Sequence, residues 1–230
     1  MKRQLVLGMA VMVGIGVAGG LVMGEGRGAD TRAAATGPAT TAAAGKVTFF
    51  GVETEGVGRV VYVVDHSGSM LDSFGFCRRG LLNSITGLGP AQRFAVVAFS
   101  ETVVGYPING KWSAAGQQAA QDFETWILEV KAQGENDDVL DPFASAFKRA
   151  MAMQPLPEVV YFMTDGNFAP RLVGEVAKLN AGKKVIIHTI ALVKITREAE
   201  ENLKKIAKEN GGTFKVVAEK DLKDVERLGQ

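Results

Sequence analysis

The chain has 230 residues, 47% of them hydrophobic and 22% charged, which is enough for one globular domain with a sizeable core plus an appendage. Its formal net charge of +1 includes Lys2 and Arg3, and removing those two takes it to −1, so the basic footprint of a nucleic-acid binder is absent. Cys77 is the only cysteine; it excludes an intramolecular disulfide and CxxC-type zinc or redox chemistry, and reads as a small residue on or near a helix.

Lys2 and Arg3 precede an uncharged run from Leu5 to Met23, about the length needed to cross a bilayer. Residues 1–23 are therefore expected to be a signal peptide or an N-terminal membrane anchor, with the basic end left in the cytoplasm and the bulk exported. The flank offers only weak cleavage sites, near Ala29 and at Ala33 to Ala35, and no lipobox cysteine follows. Residues 24–45, rich in Ala, Gly and Thr and without an aromatic side chain, cannot bury much surface and are expected to form a disordered tether. The folded domain is expected over 46–230.

Within that domain strand-like and helix-like blocks alternate. Lys46 to Val52 suggests a short edge strand. Val60 to Val64 is continuously apolar and β-branched, as a central parallel strand buried on both faces should be. Arg93 to Phe99, Val159 to Met163, Val185 to Leu192 and Phe214 to Val217 repeat that character. Between them Ala119, Phe123, Ile127 and Val130 share a helical face. So do Phe143, Phe147, Ala150 and Met151, then Leu172, Val176 and Leu179, and finally Ala199, Leu203, Ile206 and Ala207. Pro142 and Pro170 suit first helical turns, Pro155 stops a helix, and Gly182 and Gly211 follow helix ends. The alternation predicts an α/β fold with a doubly wound, mainly parallel sheet flanked by helices.

Ligands of such sheets bind beyond the carboxyl ends of the strands, where the strand order reverses. Asp65 ends one buried strand and opens Asp65-His66-Ser67-Gly68-Ser69, which places three hard oxygen donors on one loop; Asp165 ends another strand and is followed by Gly166. Two carboxylates at neighbouring strand tips repel unless a proton or a cation lies between them. With the two hydroxyls they make an incomplete octahedral oxygen shell suited to Mg²⁺, with Mn²⁺ a close substitute and Ca²⁺ disfavoured by so compact a loop. The competing reading is that the aspartates cap loops and that Ser67 and Ser69 start the following helix.

The segments VVYVVDHSGSM, RFAVVAFS, VVYFMTDG and VIIHTIAL, with the closing IAKENGGTFKVV, resemble the successive landmarks of a von Willebrand factor A domain over residues 46–230, and the opening is similar to exported bacterial members of that family. The resemblance implies a six-stranded sheet with a divalent metal at its top, in a metal-ion-dependent adhesion site held by Asp65, Ser67, Ser69 and Asp165. It also implies a role in protein recognition rather than catalysis, with a protein partner that presents an acidic residue to the metal. One departure stands out. The family's Gly-Gly-Thr-Asp loop is replaced by GENDDVLDP from Gly134 to Pro142, which has no threonine. Matching the first glycine assigns the threonine's role to Asn136, whereas matching the helix register assigns it to Asp141, and Asp137 and Asp138 lie between. A third carboxylate would strengthen cation capture and discourage an acidic ligand, while Asn136 would preserve the usual charge balance. The same acidic stretch also reads as a solvated loop.

His66 is expected to point away from the ligand positions and His188 to be a satisfied strand histidine. Trp112 reads as a loop aromatic and Trp126 as a helix-packing residue. A metal-dependent phosphohydrolase would want a second acid where Ser67 stands, a serine hydrolase would want a Gly-x-Ser-x-Gly elbow, and no Walker-type loop or dinucleotide fingerprint is found. A structural interaction domain with a degenerate metal site is the remaining alternative.

Overall fold

The computed structural model describes residues 45–134, 141–166, 168–192 and 195–217. The expected anchor, most of the tether, Asn136, Asp137 and Asp138 lie outside the described residues. Among those described, no helix is long and apolar enough to cross a membrane.

The chain opens with a hairpin, β1 (Gly45–Phe49) and β2 (Val52–Val57), paired antiparallel as a two-stranded sheet of its own. This corrects the reading of Lys46 to Val52 as an edge strand of the main sheet. Phe50 and Gly51, at φ 47° and 70°, turn the chain back on itself, and the alternation of buried Val47 and Phe49 lays one hairpin face on the main core.

There follow β3 (Arg59–Asp65), a 3₁₀ turn at Gly68–Met70, α1 (Phe74–Thr86), β4 (Arg93–Phe99), β5 (Val103–Tyr106), the two-residue β6 (Ser113–Ala114) and α2 (Gln117–Glu129). The second half runs α3 (Pro142–Met151), β7 (Val159–Thr164), α4 (Arg171–Asn180), β8 (Ile186–Leu192), α5 (Arg197–Glu209) and β9 (Phe214–Val217). The main sheet has the order β5-β4-β3-β7-β8-β9, with β6 also paired to β4. All of its pairings are parallel except those of β5 and β6 with β4. The five strands expected from apolar runs are all present. The sixth along the path is β5, whose short, half-exposed sequence carries little periodic signal. Helix α1 likewise escaped the periodicity, because Gly75, Arg78, Arg79 and Gly80 interrupt its apolar stripe.

The sheet is buried on both faces, which explains its uninterrupted apolar strands. Side chains alternate across it: Val60, Tyr62 and Val64 join one core with the hairpin, α1 and α2, while Val61 and Val63 join the other with α3, α4 and α5. Strand order reverses around β3, since the chain passes from β3 to β4 on one side and later returns to β7 on the other. The carboxyl ends of β3 and β7 therefore flank the switch point.

Candidate metal centre

Parallel pairing of β3 with β7 runs in register from Val60–Val159 to Val64–Met163, so the next residues, Asp65 and Thr164, come level at the sheet's top edge. Thr164 Oγ1 donates to Asp65 Oδ2 at 2.7 Å and accepts from the Gly166 amide at 3.0 Å. Asp65 Oδ1 accepts the backbone N–H of Ser67 at 2.9 Å, which bends the loop back over the strand end. Ser67 Oγ lies 3.0 Å from Ser69 Oγ, and Ser69 Oγ donates to Asp165 Oδ1 at 2.9 Å. The four oxygen-bearing residues expected to act together thus form one connected cluster, rising from fully buried Asp65 to exposed Ser69 at the rim.

Burial holds the Asp65 carboxyl above its usual range, against the pull of hydrogen bonds from Thr164 and Ser67. Asp165 is raised as well, chiefly by burial, with the negative charge of Asp65 adding to it against the Ser69 hydrogen bond. Two desolvated carboxylates joined through two hydroxyls are a hard, all-oxygen donor set, and a divalent cation would relieve the charge that burial and mutual repulsion disfavour. The residues present therefore fit such an ion. Its donors are two acids and two alcohols, and among the described residues there is no group of three or more His, Cys, Asp or Glu that could hold a metal.

A second layer that the sequence did not disclose fixes the loop. The His66 amide donates to Phe99 O at the end of β4 (2.9 Å), and its carbonyl accepts from the Gln133 amide (3.0 Å). His66 Nδ1 lies 2.8 Å from Lys131 O. Burial keeps the His66 imidazole below its ordinary value, and through its ring and backbone contacts with 131–133 and Phe99 the residue serves as a strut under the loop. Gly68 donates to Gly134 O at 2.8 Å. A Cβ on Gly68 would lie 2.9 Å from that carbonyl, and Gly134 itself has φ 77° and sits on the Glu101 side chain. Thr164 had a signal in the sequence, as the hydroxyl immediately before a strand-ending aspartate; the contacts of His66 with 131–133 had none, since they join segments distant in the chain.

Gly68→Ala should cost about 1–3 kcal/mol through this close approach and weaken Mg²⁺ binding by displacing Ser67 and Ser69. Calorimetric titration beside a thermal melt checks it, and equal affinity to wild type would show that the contact does not position the loop.

Asp141 is engaged elsewhere. In the left-handed region at φ 42°, it caps α3, with Oδ1 accepting the Ala144 amide at 3.0 Å, and its Oδ2 meets Arg171 Nε at 3.3 Å. None of its described hydrogen bonds joins the Asp65 cluster. The structure thus brings together Asp65, Ser67, Ser69 and Asp165 and gives Asp141 a capping partner, while Asn136 lies outside the described residues.

Residues 58–216 match the family model of the von Willebrand factor type A domain. The fold is similar to a von Willebrand factor type A protein from Catenulispora acidiphila, at 19% identity and TM-score 0.63, covering 77% of this chain and 43% of that one. It is similar to the pilus adhesin SpaC from Lactobacillus rhamnosus GG, at 17% identity and TM-score 0.57, covering 74% of this chain and 29% of the adhesin. It also resembles proximal thread matrix protein 1 from the mussel byssus, whose adhesion-site motif is zinc-occupied, at 18% identity and TM-score 0.50, covering 81% of this chain and 48% of that one. The chain spans less than half the length of these three proteins, and at such identities the likeness is one of fold. No curated protein matches the sequence.

Proposed function

The chain belongs to the von Willebrand factor type A domain family, and we propose that it is a non-enzymatic protein-recognition domain that binds its partner through a divalent cation, Mg²⁺ or Mn²⁺, at the tips of β3 and β7. The observation that carries this reading is the connected oxygen cluster of Asp65, Ser67, Ser69 and Asp165 at the switch point of the sheet. A bound cation supplies an open coordination position that a partner carboxylate can fill. Asp65 and Asp165 bring two negative charges that balance it, Ser67 and Ser69 bring neutral oxygens, and Thr164 and the Ser67 amide hold Asp65 in orientation. Asp141 does not tip that balance, since its charge faces Arg171. The partner proposed is one that presents a carboxylate to the cation. The zinc-occupied motif of the mussel protein supports a divalent ion in this fold, and the adhesin supports a recognition role.

Export belongs to the same proposal: the basic start and uncharged run of residues 1–23 read as an anchor or signal peptide, followed by the tether. A structural domain with a degenerate metal site is the second reading, favoured by the lack of a threonine between Gly134 and Pro142. Titration calorimetry with Mn²⁺ on wild type and Asp165→Ala separates the two, and capture of a protein from envelope material with and without chelator then tests recognition. Saturable Mn²⁺ binding lost in Asp165→Ala, with chelator-released partner, is the expected result. Partner binding indifferent to chelator would favour the structural reading.

A further inference from the structure

The hairpin β1–β2 precedes the family-matched region and lies outside the main sheet's ladder. Apolar packing of Val47, Phe49, Val52 and Val57 holds it on the core, Ser84 Oγ and Gln92 Nε2 donate to Thr48 O and Val57 O, and a chain of buried polar groups ties it to β7 and β8. The Thr213 amide donates to His188 Nδ1 at 3.0 Å, with Thr213 Oγ1 2.8 Å from the same nitrogen. A backbone N–H can only donate, so Nδ1 carries the lone pair and the proton sits on Nε2. Nε2 therefore donates to Thr54 Oγ1 at 2.9 Å. The Thr54 hydroxyl, 2.7 Å from Tyr161 Oη, passes its own proton on, and Tyr161 donates to Val47 O and Val52 O, one on each hairpin strand, both at 3.3 Å. Every donor in the relay has an acceptor only while the imidazole is neutral.

We propose that His188 is an acid-sensitive latch: its neutral imidazole fastens the β1–β2 hairpin to the sheet, and protonation releases the hairpin while the sheet stays folded. A second proton on Nδ1 could find Thr213 Oγ1 at 2.8 Å as an acceptor, but it would displace the Thr213 N–H and leave that amide without its acceptor. It would also bury a cation in a site where His188 is only 5% exposed. The groups facing the ring offer no compensating charge. From β7 comes Tyr161, stacked at 5.0 Å, with Tyr62 of β3 one ring further along. From the hairpin comes Thr54, whose neighbour Glu53 points to the exposed side and pairs with Lys46. From the segment leading into β9 comes Thr213, followed by Lys215, whose ammonium lies over the Gly51 turn. Burial alone lowers the His188 value, in agreement with this geometry.

The released hairpin exposes an ordinary imidazole with a pKa of about 6.5, whereas the latched one titrates lower. Latching is therefore complete above that value and weakens as pH falls through the interval between the two. Within that interval the opening constant rises up to about tenfold per pH unit, levelling off below the latched value.

Hydrogen exchange on the full chain, in chelator, at pH 7.5 and 5.0 with intrinsic rates corrected, tests the latch. Amides of residues 45–57 should lose protection at pH 5.0 while β7 and β8 keep theirs. His188→Phe, or His188→Gln should the phenyl ring not fold, should remove the step. The chain has two histidines, so the same variant assigns the His188 imidazole resonance in an NMR titration, with a midpoint expected below that of a free imidazole. Unchanged hairpin exchange, a step that persists in the variant, or an imidazole titrating at or above the free value would each overturn the proposal.

Discussion

Mg²⁺ at a hundred times its dissociation constant is expected to raise the melting temperature of the wild-type protein and leave Asp65→Ala unmoved. Linkage gives the size: an ion that binds only the folded state at that ratio contributes about 2.7 kcal/mol, which for a domain of this size is roughly 5–10 °C. Asp65→Ala removes the buried oxygen pair that Thr164 and the Ser67 amide orient, so the serines lose their reference point. Asp165→Asn makes the complementary case. Both carboxyls are raised in the folded state, so the metal-free protein gains stability from holding their protons and loses it as pH rises through those raised values. At neutral pH in chelator, Asp165→Asn should therefore melt at or above wild type, yet show no gain with Mg²⁺. Because protons and cation compete for the same oxygens, the Mg²⁺-induced rise should also shrink towards acidic pH. A differential scanning series over metal concentration and pH reads all of this, and a wild type indifferent to both Mg²⁺ and Mn²⁺ would end the metal reading.

Phe162→Ala is expected to destabilise the domain by about 3–5 kcal/mol, the usual cost of deleting a fully buried phenyl ring. Phe162 lies on β7 at 0% exposure, between the strand tips and the α3–α4 face. Its ring meets Phe147 at 4.9 Å, Phe99 and Phe168 at 6.1 Å and Phe143 at 6.3 Å, three of these edge-to-face or nearly so. Such aromatic pairs contribute beyond the area they bury, and the neighbours come from β4, α3 and the segment after Asp165, which cannot all collapse into one void. Urea unfolding measures the loss. A change below about 1.5 kcal/mol, the range of well-tolerated core swaps, would mean that the cluster repacks and does not brace β7. Phe168 also adjoins the Asp165 turn in sequence, so Mg²⁺ affinity should fall together with stability.

The proposed acid latch and the candidate metal centre occupy different parts of the molecule and respond to different variables. The candidate metal centre lies at the carboxyl ends of β3 and β7, whereas the latch joins the middle of β7 and β8 to the hairpin that follows the expected tether. His188→Phe should therefore leave Mg²⁺ binding intact, and Asp165→Asn should leave hairpin exchange intact.

The central strands were legible because parallel strands covered on both faces must be apolar at every position, which leaves β3, β4, β7 and β8 as unbroken runs. Helices α2 to α5 were legible from their 3.6-residue stripes and from Pro142, Gly182 and Gly211 at their ends. The oxygen cluster was legible for a local reason: Asp65, Ser67 and Ser69 share one loop, and Asp165 directly follows a second strand with the same apolar lead-in. What the sequence by itself determined is thus whatever rests on periodicity or short spacing, namely the α/β alternation, the strand tips and the oxygen donors. Tertiary structure alone decided what rests on which segments meet. It turned residues 45–57 into a separate hairpin, gave Asp141 to the α3 cap and Arg171, backed the Asp65 loop with the carbonyls of Lys131 and Gly134, and set His188 beneath Thr54. Those choices depend on hydrogen bonds between residues up to 134 apart in the chain, where no local pattern specifies the partner and only the packed sheet brings donor and acceptor within reach.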